Sequence, residues 1–350
     1  MGPPPVIVAT GARTPLGLSS AASAAALRAG INRLGQHAFL IDRLGKPMVA
    51  APDARLDPGV VGNPRLLALA RSALDEACQF LREHASSLGP APLHLALPEF
   101  RPGWSESDAA SLGRQLSALR APVEIGEVKL YPRGHAAGVA ALRAAVADLA
   151  TGMVDVCLVG GVDSYLHPDT MEWLDNHRQL AGEDGRSAFV PGEGAAFLLL
   201  MTDYGSRRLG LRNQGTISAL ALTTETKRIK TPETCLGEGL TAAVQAVTAT
   251  LASGDQIHNV ICDINGERYR GEEWGFVCLR LAERFDDPLA YRSPADSWGD
   301  MGAASIPLFT MLACEAAARG YASGSRTLLW ASSEGGQRGA SLIEAEVALG

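Results

Sequence analysis

The sequence predicts an α/β protein whose sheets are covered by helices on both faces, and three observations predict it. Apolar runs of strand length alternate with Ala/Leu-rich segments of helical length along the chain. The runs carry Val and Leu with polar residues on neither face, as strands do when helices bury both sides. The alternation pauses at a polar, basic stretch, Asp203–Asn213, and then starts again.

In the first part, "VIVAT" from Val6, "LHLALP", "EVKLY", "VDVCLVGG" and "AAFLLLMT" read as strands. Ser19–Arg28, Arg65–His84, Ser107–Leu119 and Ala137–Ala150 read as helices. In the last of these, Val139, Leu142, Val146 and Leu149 recur at helical spacing and predict one buried stripe. Leu180–Gly192 carries Gly, Asp and Pro and reads as an exposed loop returning to a central strand. "DYGSRRLGLRN" reads as a connector. Beyond it, "TISALALT", "NVICDI", "RTLLWAS" and "SLIEAEVAL" read as strands, and Glu238–Leu251 and Ala303–Arg319 as helices. The repeated order predicts two similar halves, 1–204 and 205–350, although no residue-level repeat is visible.

Composition narrows the function. The 350 residues are 47% hydrophobic and 20% charged, which allows a sizeable core. A net charge of −7, with no basic run interleaved with aromatics, disfavours nucleic acid and anionic membranes as partners. Cys78, Cys157, Cys235, Cys262, Cys278 and Cys314 form no C-x-x-C pair and sit mostly in apolar segments, predicting buried free thiols in a reducing compartment. "MGPPPVIVATGARTPLG" has neither a basic n-region nor a long apolar h-region, and no apolar run reaches membrane-spanning length. A cytoplasmic protein is expected. There is no P-loop, no G-x-G-x-x-G after the first strand, no G-x-S-x-G and no H-E-x-x-H. The seven histidines show no metal-ligand spacing, so neither a metal nor another cofactor is predicted.

One stretch suggests a site. "VKLYPRGHAAGVAAL" reads as a strand, a tight turn and a helix start, where enzymes often present a Ser or Cys nucleophile, and here the turn presents His135. Four segments in order resemble the β-ketoacyl-ACP synthase branch of the thiolase superfamily. "VIVATGARTPLG" is similar to its opening strand and turn, and "GHAAGVAALRAAVADLATGMVDVCLVGGVDS" to its nucleophile turn, helix and Gly-Gly strand. "GRSAFVPGEGAAFLLL" resembles its Gly-Glu-Gly-Ala loop and strand. In the C-terminal half, "DINGE" and "SWGDMGAAS" fall where the family has its two histidine motifs, and "GGQRGASLIE" where it has its closing turn. The resemblance spans essentially the whole of a chain shorter than usual. It implies a thiolase-like fold, two similar halves in a five-layered α-β-α-β-α arrangement, and a dimer paired through edge strands.

Carried over residue by residue, the resemblance puts the nucleophilic Cys at His135, the first catalytic His at Asn265 and the second at Asp300, with the preceding Lys at Ala295. All three catalytic positions are substituted. The family reaction needs a thiolate to hold an acyl chain and two groups to stabilise an enolate and an oxyanion. Imidazole at a helix N-terminus is expected to be pushed towards its neutral form. A carboxylate at position 300 opposes a developing negative charge unless it is protonated or paired.

Three functional readings follow. The first is a β-ketoacyl-synthase-like protein of fatty-acid, polyketide or polyene assembly without normal condensing activity. It would be similar to a chain-length factor, pairing with a Cys-containing ketosynthase paralogue or with itself, and in contact with an acyl-carrier protein. The second is an acyl-thioester hydrolase or acyltransferase using a His135–Asp300 dyad oriented by Asn265. The third is an acyl-ligand-binding module. For His135 the plain structural alternative is an imidazole filling a vestigial pocket.

Glu193 is expected to serve a buried carboxylate network, and Cys157 and Cys262 core packing. Asp263 is expected to be a strand-end hydrogen-bonding residue. Lys227, Arg228 and Lys230 read as a solvated loop, which the resemblance offers to an acidic carrier protein. Trp298 either lines the pocket or fills the core.

Overall fold

The computed structural model describes residues 3–79, 81–82, 88–182, 185, 187–228, 231 and 233–348. In chain order, β1 (Val6–Arg13), α1 (Ser20–Arg28), β2 (Gly35–Ile41), β3 (Pro47–Ala50), α2 (Asn63–Gln79), β4 (Ala91–Leu97), α3 (Glu106–Ser117) and β5 (Ile125–Pro132) come first. They are followed by α4 (Ala137–Ala150), β6 (Val156–Ser164), α5 (Pro168–Asn176), β7 (Glu193–Met201) and α6 (Asp203–Arg208). The remainder is β8 (Gly215–Thr224), α7 (Glu238–Thr248), β9 (Asn259–Cys262), α8 (Arg268–Leu281), β10 (Tyr291–Arg292), α9 (Ala295–Trp298), α10 (Ser305–Ala318), β11 (Arg326–Ser332) and β12 (Gln337–Glu344).

The sheet repeats its own pattern. β1 and β6 flank β7 antiparallel, and β4 and β5 continue from β6 in parallel. Likewise β8 and β11 flank β12 antiparallel, and β9 and β10 continue from β11 in parallel. The two sets are not separate: β1 pairs antiparallel with β8 through Val6–Thr216 and Ile7–Gly215, giving one ten-strand order.

Alternation of side chains along these strands builds three cores. Val156, Leu158, Phe197 and Leu199 face α2 and α3. Cys157, Val159, Leu198 and Leu200 face inwards and meet α4 and α10, which also pack on Ile261, Leu329 and Ile343 of the second set. On the far side Val260, Leu328, Trp330 and Leu342 pack against α7 and α8. The layers therefore run helix, sheet, helix, sheet, helix, as the resemblance implies.

Local chemistry explains several boundaries. Ser105 and Asp108 cap α3 reciprocally, Ser19 caps α1, and Pro168 opens α5 where its missing N–H has no intrahelical partner. Four expectations need correction. Asp203–Asn213 is not bare connector, because Thr202 caps the short helix α6. β12 starts at Gln337 and ends at Glu344, so Ala345–Ala348 lie outside the strand expected there. Helix α8 was unread because its buried face mixes Trp274, Val277 and Leu281 with Arg270 and Glu273. The described residues of the loop expected over Leu180–Gly192 are not all exposed: Leu180 and Phe189 form a bridge and join Met48, Tyr165, Met171 and Leu174 in a small apolar cluster. The last residues of the expected helix Arg65–His84 lie partly outside the described residues. Among the described residues no helix is long and apolar enough to cross a membrane.

Candidate functional site

Two helix starts meet at the site. β5 ends at Pro132, and a 3-10 turn at Gly134–Ala136 leads into α4. Gly134 sits at φ +67°, a conformation that disfavours other residues, and lets the turn present His135. The Oγ of Ser333 ties the turn down by accepting from the Ala136 N–H at 2.8 Å and donating to the Arg133 carbonyl at 2.6 Å. In the second half a matching 3-10 turn, Gly302–Ala304, leads into α10, with Asp300 just before it. Backbone bonds to Val190 and Gly192 hold Asp300 at 2.7 and 2.9 Å.

His135, Asn265 and Asp300 come together. The Nε2 of His135 lies 2.8 and 2.9 Å from the two Asp300 oxygens. Asn265 Nδ2 donates to the Oδ2 of Asp300, Tyr165 OH donates to its Oδ1 at 3.2 Å, and the Gly302 N–H donates at 2.7 Å. Asn265 is itself oriented by Glu267, whose N–H donates to Asn265 Oδ1 at 3.0 Å. Arg270 donates to Asp263 and, at 3.0 Å, to Glu267, and approaches His135 Nε2 to 3.4 Å.

Protonation follows from this geometry. Burial pushes the His135 imidazole down, but the Asp300 carboxylate more than offsets it, even against Arg270, so its pKa lies above the ordinary 6.5. Burial likewise pushes Asp300 up, and His135, Arg270 and the Gly302 N–H outweigh it, leaving the carboxyl well below its ordinary 3.8. The contact favours the imidazolium of His135 opposite an ionised Asp300. The shift runs opposite to the expected push towards neutral imidazole: a full negative charge in hydrogen-bond contact outweighs the partial positive charge of a helix start.

His135 borders a cavity of about 500 Å³. Its lining is in part apolar and aromatic, with Phe100, Tyr165, Trp173, Leu174 and Phe189, and in part ionic, with Glu99, Arg101, Asp163, Glu267 and Arg270. Arg101 donates to Asp163 at 2.6 Å and lies over the Tyr165 ring, 4.2 Å from its centroid. No cysteine lines the cavity. The Cys157 and Cys314 thiols are pushed up to about 12 by burial, and Cys262 also rises well above its ordinary value.

The other singled-out residues resolve by contact. Arg65 grips both Glu193 oxygens at 2.5 and 2.6 Å, and the Asp53 N–H and Ser164 hydroxyl complete a buried network. Asp263 accepts from Arg270 and from the Ser332 N–H at the end of β11. Trp298 fills the central core between the sheets. Ala295 starts α9 and supplies no charge. Lys227 lies 3.7 Å from Glu238, while Lys230 lies outside the described residues.

Glu225, Cys235 and Glu273 come within metal-ligand reach of one another. Their carboxylates are already engaged: Arg338 holds both Glu273 oxygens at 2.6 and 2.7 Å, and backbone N–H groups of Lys227 and Gly239 donate to Glu225. Reading the sequence misses Tyr165, Glu99 and Arg270. Only Tyr165 has a local signal, following the Gly-Gly strand end at "GGVDSY".

Residues 134–205 match the family described as beta-ketoacyl synthase, N-terminal domain. Among solved structures, the chain is similar to the AntDE:AntF complex of a type II polyketide-synthase acyl-carrier protein with its ketosynthase. The match has 14% identity and a TM-score of 0.78, and covers 99% of this chain and 100% of that one. It is also similar to the ishigamide ketosynthase/chain length factor, at 14% identity and a TM-score of 0.80, covering 98% and 100%. The ketosynthase from module 6 of the bacillaene synthase from Bacillus subtilis 168 matches at 14% identity and a TM-score of 0.74, covering 98% and 72%. No curated protein sequence matches. The chain thus has the thiolase-like fold of the ketosynthases. The segment that matches the β-ketoacyl-synthase family, 134–205, carries the His135 turn.

Proposed function

We propose that this chain is a ketosynthase-like protein of polyketide, polyene or fatty-acid assembly that does not itself condense acyl groups. In this reading His135, Asn265 and Asp300 occupy the three family catalytic positions, and the chain acts as a chain-length-factor-like partner of a Cys-containing ketosynthase. The observation that carries it is the buried pair between His135 and Asp300, at 2.8 Å. His135 Nε2 is held by both Asp300 oxygens and is not free for acyl transfer, and no thiol faces the cavity in its place.

The similar structures support the partner classes, since one holds an acyl-carrier protein and another is a ketosynthase/chain length factor. β5 lies at one end of the strand order, so its outer edge is available for pairing with a second subunit. The repeated strand order supports dividing the chain at 1–204 and 205–350. The six free cysteines suit a reducing, cytoplasmic setting.

Co-expression with a Cys-containing ketosynthase and a carrier protein tests the reading. The expected result is a heterodimer whose product length changes when this chain is varied. A homodimer alone, with product length unaffected, overturns it.

The open cavity beside His135 also favours acyl-ligand binding, and it is what a hydrolase or acyltransferase using His135 and Asp300 would need. Unchanged turnover of an acyl-thioester panel by His135→Ala removes the enzymatic alternative.

A further inference from the structure

The cavity beside His135 has a feature that no catalytic position accounts for. Each cation in its lining already has a carboxylate: Arg101 is paired with Asp163 at 2.6 Å, Arg270 with Asp263 and Glu267, and His135 with Asp300. Arg101 Nη2 is engaged by Asp163 at 2.6 Å and by the Ser164 carbonyl at 3.0 Å, and its Nε is buried. A ligand carboxylate entering here finds no unpaired cation among the described lining residues.

It meets Glu99 instead. This side chain packs against Gly134, where a Cβ would come within 3.2 Å of its Cγ, and so stands beside the turn that bears His135. One oxygen accepts from the Gly335 N–H at 2.9 Å, and no ion pair engages the carboxylate among the described residues. Burial is the main influence raising its pKa, with Glu334 adding to it; the Gly335 N–H, His135 and Arg101 oppose. The same cavity is lined by Phe100, Tyr165, Trp173, Leu174 and Phe189, with Tyr165 and Phe189 edge to face at 5.2 Å.

We propose that this cavity takes a neutral acyl group against its aromatic lining and turns away carboxylate-bearing, malonyl-type acyl groups, with Glu99 as the discriminating residue. A ligand carboxylate beside an ionised Glu99 brings two like charges together in a site of reduced dielectric, where each lining cation is already paired with a carboxylate. A neutral chain pays no such cost and covers apolar surface. The proposal rests on the acyl-binding part of the reading above, but not on heterodimer formation.

Calorimetric titration of the full chain with hexanoyl-pantetheine and malonyl-pantetheine, at one ionic strength and pH 7.5, tests it. The expected result is binding of the hexanoyl probe and at least about tenfold weaker binding of the malonyl probe, a difference of about 1.4 kcal/mol. Glu99→Gln should narrow that ratio at least about tenfold, while Glu99→Asp should keep it. Leu174→Trp, which fills the apolar lining, should weaken the hexanoyl probe and serves as a second check if Glu99→Gln does not fold. Equal affinities for the two probes, no hexanoyl binding, or an unchanged ratio in a folded Glu99→Gln chain each overturn the proposal. Co-purification with a ketosynthase is read separately, so failure here is distinct from failure of the partner reading.

Discussion

The Nε2 of His135 contacts both carboxylate oxygens of Asp300, at 2.8 and 2.9 Å, although the two residues are 165 positions apart. Each brings a helix start from one repeat of the sheet pattern, so the pair is a contact between the two strand sets. It is buried on both sides. Its worth depends on the protonation of both groups, which makes it visible in pH-dependent stability.

His135 has a raised pKa, so its contribution is fully present below the unfolded value of about 6.5 and is lost as pH rises through the folded value. Asp300 has a depressed pKa, so its contribution is present above the unfolded value of about 3.8 and is lost as pH falls through the folded one. The pair is therefore strongest between about pH 4 and pH 6.5. In urea denaturation, Asp300→Asn should cost about 3–5 kcal/mol at pH 5.5, because it leaves a buried imidazolium without its counter-charge. The gap should shrink at pH 9. A gap of equal size at both pH values would show that His135 is neutral in the fold.

A second buried pair should behave as structure alone. Arg65 donates to both oxygens of Glu193, which also accepts from the Asp53 N–H and the Ser164 hydroxyl. Glu193→Gln keeps an acceptor for the Asp53 N–H but strands the guanidinium, so it should cost about 3–5 kcal/mol. Arg65→Met combined with Glu193→Gln should recover part of that loss, because no unpaired charge remains. Denaturation midpoints of the single and double variants measure the difference. A double variant less stable than Glu193→Gln would show that Arg65 matters for packing more than for charge.

What the sequence makes legible follows from how local each signal is. The helix expected at Ala137–Ala150 forms over that range because its apolar spacing is contained within the segment. Helix α8 escapes notice because its buried Arg270 and Glu273 look solvent-exposed in sequence. Their partners, Asp263 for one and Arg338 for the other, come from β9 and β12 or their ends. That His135, Asn265 and Asp300 share one site is legible from the order of motifs. The charge on His135 is not, since it depends on a contact that only the fold creates. Glu99 is silent for the same reason: its neighbours Gly134 and Gly335 converge on it from either end of the chain.

A thiol placed at position 135 tests what Asp300 controls. His135→Cys places sulfur at the start of α4, where the helix N-terminus favours the thiolate. It also removes the imidazolium that neutralises Asp300, leaving an ionised carboxylate across a buried gap. Burial and that full charge both disfavour the thiolate, and together they outweigh the partial charge of the helix start. The variant should therefore alkylate with iodoacetamide more slowly than free cysteine at pH 7.5 and should not condense malonyl units. Adding Asp300→Asn removes the opposing charge, and the alkylation rate should rise by about tenfold for each pKa unit recovered. Rate against pH for the single and double variants gives both thiol pKa values directly. Fast alkylation, or condensation, by His135→Cys alone would show that Asp300 does not control the site and that one substitution separates this chain from an active synthase.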